Sequence, residues 1–186
     1  PKRTTTSGTA QDTDGMWYSN FLIAKQVYVD ILNKLVDIAD VHFVYNPSNH
    51  DYMIGFFLLD VIKTYFKDCK NITFDCSIAH RKAFKYFSNL VGTTHGDGAK
   101  MQDLPLLMAT EYPKEWADTE HRYVYTHHVH HKNAKDYIGV TVESLRSPSP
   151  ADSWHDRNGY VSKQAIEGFI HHKENGQIAR LTHYFK

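Results

Sequence analysis

The chain of 186 residues is poor in the features that define special classes. Two cysteines, Cys69 and Cys76, cannot build a disulfide framework, and they read as reduced thiols in a cytoplasm. No apolar run approaches the ~18 residues of a membrane span. The opening PKRTTTSGTAQDTDG has no apolar stretch of a secretory signal. Neither sign of charge is in excess. The 21 Lys and Arg balance 21 Asp and Glu, which excludes a protein that coats nucleic acid through general basicity. The local group His80-Arg81-Lys82 with Lys85 would suit a nucleic-acid backbone, but a solvated strand face is the stronger reading. Hydrophobic residues at 41% and charged residues at 23% are ordinary globular values, so disorder is excluded too. No repeat or linker interrupts the chain, which predicts a flexible loop over 1–15 and one domain over 16–186.

Apolar residues Trp17, Phe21, Ala24, Tyr28, Ile31, Leu35 and Ile38 recur every three or four positions, which predicts a helix from Met16 to about Asp40. Val41–Tyr45 reads as a buried strand that Pro47 stops. Tyr52–Phe66 reads as a second helix. Asn71–Phe74, Phe84–Phe87, Leu90–Thr94, Arg122–Thr126 and Val140–Leu145 read as strands, with helical turns at Leu104–Met108 and Trp116. Ser147–Tyr160 reads as a loop in which Trp154 and Tyr160 pack. Gln164–His172 and Gln177–Phe185 should form a hairpin across Glu174-Asn175-Gly176. The order predicts a mixed α/β fold with layered sheets and flanking helices.

What the sequence has in abundance is histidine, 13 in all, four of them in 127–131. Neutral imidazole is the commonest metal ligand. His171 and His172, by contrast, read as polar filler. Three segments share one layout, a short apolar strand running into a polar, His-bearing loop: VHFVYNPSNHD, LVGTTHGDG and RYVYTHHVHH. Functional groups of α/β sheets gather beyond the carboxyl ends of strands. The loops offer Asn49, His50 and Asp51, then His95 and Asp97, then His128 and His130. Imidazole nitrogens with an amide oxygen suit Mn, Fe or Zn.

The order Asn-His-Asp, strand-end His, His-x-His resembles the second half of the calcineurin-like metallophosphoesterases. In that family the motifs run Asp-x-His, Gly-Asp-x-x-Asp, Gly-Asn-His-Asp/Glu, His, Gly-His-x-His. Ser48-Asn49-His50-Asp51 matches the third, His95 the fourth, and His127-His128-Val129-His130 the fifth. THGDG and SWHDRNGY are similar to phage-type members of the SbcD-like DNA-repair exonuclease branch, which would place the protein in a bacterial host cytoplasm. The likeness covers residues 41–186. It implies the C-terminal portion of a four-layer α/β/β/α metallophosphoesterase sandwich. It also implies a divalent-metal site of two ions, Mn first, with Zn or Fe as alternatives. Asn49, His95 and His128 would hold the second ion and His130 the first. His50 would protonate the leaving oxygen of a DNA phosphodiester, tuned by Asp51. Asp97 and His131 would orient imidazoles.

Two departures follow. Ser48 and His127 stand where the family has glycine, so those turns must be shaped differently. Neither Asp-x-His nor Gly-Asp-x-x-Asp precedes Asn49 in a matching context, since Asp40-Val41-His42 starts a strand and Asp12-Thr13-Asp14 lies in a loop. The missing ligands are therefore expected on an upstream segment or a partner chain. The chain alone should be a weak phosphodiesterase, and the edge beside Val41–Tyr45 should be open to a partner strand. The alternative function is a non-catalytic binding or assembly module that keeps the fold without the full metal site. A weaker one is an HNH-type nuclease built on HHVHHKN.

Overall fold

The computed structural model describes residues 4–8, 15–149 and 163–185, so Asp12, Asp14, Trp154 and Tyr160 lie outside the described residues. The chain divides into two compact units, 1–79 and 80–186. Mixed α and β structure is present in both.

In the first unit, helix α1 (Trp17–Val36) precedes strand β1 (Val41–Val44), helix α2 (Tyr52–Tyr65) and strand β2 (Ile72–Asp75). Helix α1 ends short of Asp40 because the Asn71 side-chain amide donates to the carbonyls of Val36 at 2.7 Å and Ala39 at 3.2 Å, satisfying groups a longer helix would use itself. β1 and β2 pair in parallel, Val41 opposite Ile72 and Val44 opposite Asp75. Alternation then puts Val41, Phe43, Ile72 and Phe74 on one face, where they pack with Val29, Leu32, Ile62 and Phe66 of the two helices. Among the described residues this sheet has two strands. A second stripe of α1, Ile23, Val27, Ile31 and Leu35, remains exposed. Parallel sheets are otherwise found covered and extended.

In the second unit, five strands form one sheet in the order β3-β4-β5-β7-β6, with β3 at Arg81–Tyr86, β4 at Asn89–Thr94, β5 at His121–Thr126, β6 at Asn133–Tyr137 and β7 at Val140–Ser144. The β4–β5 and β5–β7 pairs are parallel and the two outer pairs antiparallel. Helices α3 (Leu104–Glu111) and α4 (Pro113–Ala117) link β4 to β5. Leu90, Val124, Val140 and Val142 meet Leu104 and Met108 on the helical side. Strands β8 (Ala165–His172) and β9 (Gly176–Tyr184) form the expected antiparallel hairpin, which bonds to the opposite side through Tyr123, Tyr125 and Glu143. Ser88, Asn89 and His121 pin its tip, donating to the carbonyls of Lys173, His172 and Glu174 at 2.6, 2.8 and 2.7 Å.

The basic group near His80 is committed within the fold. Arg81 pairs with Glu111, Lys85 with Asp118 at 3.3 Å, and Lys82 is buried. No helix among the described residues is long and apolar enough to cross a membrane.

Candidate metal centre at the strand ends

β4 and β5 run side by side in the same direction with Thr93 opposite Tyr125, so their carboxyl ends finish level. The next residues of each chain therefore meet. The His95 carbonyl accepts the backbone N–H groups of His127 at 2.9 Å and His128 at 2.8 Å. These two bonds bring the His128 ring against His95, with Nδ1 of His128 3.2 Å from Nε2 of His95 and the ring centroids 5.1 Å apart. His95 is buried. An N–N separation of this size is a hydrogen-bond distance. It is also the span of two imidazoles on one ion, since legs of ~2.0–2.1 Å then subtend roughly 100°, between octahedral and tetrahedral angles. The donor chemistry fits a borderline divalent metal.

Glycine at position 96 makes this approach possible. Gly96 has φ +101°, and a Cβ there would lie 3.1 Å from Thr126 Cβ and 3.7 Å from His128 Cβ. Gly96→Ala is therefore expected to destabilise the protein by ~1–3 kcal/mol. A urea melt with a parallel metal titration checks this, and both stability and affinity should fall.

The turn after β5 is built without a glycine. The His130 N–H donates to the His127 carbonyl at 2.9 Å, and His130 itself takes the left-handed conformation at φ +55°. Histidine is among the residues enriched there. Ser144 Oγ donates to the His131 carbonyl at 2.9 Å, tying the turn to the end of β7. His131 donates its ring Nδ1–H to the Val129 carbonyl at 2.9 Å, so that nitrogen serves its own turn rather than the expected task of orienting an imidazole. Asp97 is exposed.

Asn49, His50 and Asp51 stand in the first unit, just past β1 and the fully buried Pro47. Ser48 shapes this loop in the way glycine would not, because its hydroxyl accepts the His50 N–H at 3.1 Å. The Asn49 carbonyl accepts the Thr6 N–H at 2.9 Å, and the Asp51 carbonyl accepts from Gly55 as α2 begins. Burial of one side of its carboxylate raises the Asp51 pKa, while the Ser48 hydroxyl and the His50 ring act the other way and the residue itself stays exposed. Burial first, then the Asp51 charge, pushes the Tyr45 phenol up to about 12.

The structure thus brings His95 and His128 together and puts His130 on the same turn as His128. Among the described residues no three or more His, Cys, Asp or Glu side chains are grouped to hold a metal.

A polar network that sequence reasoning missed lies under the hairpin. Arg180 pairs with Glu143, and Arg146 with Glu167 at 2.9 Å. Tyr125 donates to Gln177 Oε1 at 3.0 Å, so the His171 Nε2 at 3.2 Å must donate to the Tyr125 oxygen. This fixes the tautomer and leaves the lone pair on His171 Nδ1, a buried atom with no hydrogen-bond partner. Protonation would create a buried donor with no acceptor, and desolvation accordingly lowers the His171 pKa. The neutral ring contributes stability above its unfolded value of ~6.5, and that contribution is lost as pH falls below it. Amide exchange in β8 and β9 is expected to speed up between about pH 7 and pH 5, and His171→Gln to flatten that dependence. His172 Nδ1 accepts the N–H groups of Glu174 and Asn175, capping the turn, so both histidines serve structure.

The chain matches no family model, no curated protein and no solved structure.

Proposed function

We propose that this chain is part of a metal-dependent phosphodiester hydrolase of the metallophosphoesterase type, acting on DNA or a similar phosphodiester. The observation that carries the reading is the His95–His128 pair, two imidazole nitrogens 3.2 Å apart at the level ends of adjacent parallel strands. His95 and His128 would hold one divalent ion and His130 another, and the family resemblance alone adds Asn49 to the first set. A metal held there supplies Lewis-acid polarisation of a phosphoryl oxygen and an activated water. His50 would donate the proton that the leaving oxygen needs, and Asp51 beside it would favour the imidazolium form before that transfer. The four-layer sandwich remains the architecture this reading implies. The remaining carboxylate ligands would arrive on an upstream segment or a partner chain. The exposed α1 stripe and a parallel sheet of two strands among the described residues support a partner for this unit.

The second reading, a non-catalytic binding or assembly module, is favoured by the 3.2 Å His95–His128 separation, which is also that of a plain hydrogen bond between the two rings. Hydrolysis with Mn²⁺ of a thymidine dinucleotide, whose sugar alkoxide leaving group needs the proton, separates the two. Slow turnover that His50→Ala removes supports the hydrolase. Turnover indifferent to His50→Ala contradicts the assigned acid, and metal uptake with no turnover supports the module. Fast turnover by this chain alone would contradict the claim that ligands are missing.

A further inference from the structure

The β8–β9 hairpin carries apolar side chains on both of its faces. Its inner face sets Ala165 and Phe169, the latter stacked on Tyr125, beside Glu167, His171, Gln177 and Arg180, which bond within the hairpin or to the sheet. Its outer face carries Ile166, Gly168 and Ile170 on β8 and, directly opposite, His183, Leu181 and Ala179 on β9, with Ile178 added at the bulge. Ile166 is 54% exposed, Ile170 47%, Ile178 58% and Leu181 65%. Sheets with one wet face normally place polar residues on it. The outer face has no acidic residue, Lys or Arg among these positions. Its four aliphatic side chains present roughly 400 Å² of apolar surface, the size of patch that marks an interaction site.

The sizes of the paired residues say what fits there. Gly168 faces Leu181 and Ile170 faces Ala179 in register, so each pair sets a small residue beside a large one and the large one changes strand. A Cβ added at Gly168 would meet nothing within 4 Å, so the glycine is an open notch beside the Leu181 knob. Consider a twofold axis along the hairpin, between its strands, relating two hairpins stacked face to face ~10 Å apart. It carries Leu181 of each copy over Gly168 of the other and Ile170 over Ala179, all four contacts at once. An isologous interface needs this self-complementarity. A different apolar partner would not require the knob and the notch to be cross-strand neighbours.

We infer that the outer face of the β8–β9 hairpin is the docking surface for a second copy of this chain. Burying both patches removes about 800 Å², below the ~1,200 Å² at which standard specific interfaces begin, so the dimer is a weak, transient one that depends on concentration. Sedimentation equilibrium over a wide concentration range tests this. The wild type should associate reversibly with a dissociation constant of ~10–100 µM. Leu181→Asp should stay monomeric. Gly168→Val fills the notch at a position whose φ is not positive and whose surroundings are open, so it should fold at least as stably as the wild type yet dimerise at least ~10-fold more weakly. Ile31→Asp on the exposed α1 stripe should leave the dimer unchanged. A wild type monomeric at every concentration overturns the inference. So does association that survives both hairpin variants, or that Ile31→Asp abolishes.

Discussion

Replacing His128 with alanine is expected to lower affinity for Mn²⁺ or Zn²⁺ by at least ~10–100-fold, the loss typical even of residues that only orient a ligand. His95→Ala should do the same. The two rings meet because β4 and β5 end level, and in the proposed site each imidazole would occupy one of two adjacent positions around a common ion. The two substitutions should therefore be non-additive, because the double variant has no further pair to lose. Isothermal titration of the single and double variants checks both points. His131→Ala serves as the control, since its ring Nδ1 bonds its own turn. Losses in the two single variants that simply add would mean that the nitrogens act at separate places.

Arg180→Met is expected to cost about 3–5 kcal/mol of unfolding free energy, the cost of breaking a buried ion pair from one side. Arg180 bonds Glu143, lies 4.8 Å above the Phe169 ring and reaches within 3.9 Å of Glu167. Glu143 sits on β7 at 4% exposure, so removing the guanidinium strands a carboxylate inside the unit. Burial first, then that same carboxylate, already hold the Tyr125 phenol well above its ordinary pKa. Replacing both partners, Arg180→Met with Glu143→Leu, should recover most of the loss, since two apolar groups of similar volume carry no desolvation penalty. Urea unfolding of the three proteins decides this. A single variant within ~1 kcal/mol of wild type would show the pair to be solvated.

The elements with a strong period were legible in the sequence. α1, α2, β1, β4, β5, β7 and the hairpin announced themselves through apolar spacing and through Glu174-Asn175-Gly176. β6 did not, because four of its five residues are exposed and an edge strand needs no buried side. Its cue was the two-residue turn at Ile138-Gly139, both with positive φ, directly before the buried Val140. β3 begins at Arg81 rather than Phe84 because the Arg81–Glu111 pair places charge on a paired strand. His95 and His128 could be found as strand-end histidines, but the register that sets Thr93 beside Tyr125, and so makes them neighbours, is a property of the sheet. The network under the hairpin was illegible for a related reason. Both faces of β8 carry apolar residues, so alternation alone could not say that Glu167 and His171 point inward.

The proposed function requires His95 and His128 to share one ion. X-ray absorption at the zinc edge, on the chain loaded with one equivalent of Zn²⁺, reads the coordination shell directly. The expected result is at least two imidazole nitrogens at ~2.0–2.1 Å, falling by one in His128→Ala. A shell of oxygen alone, or one unchanged by both His95→Ala and His128→Ala, would contradict it.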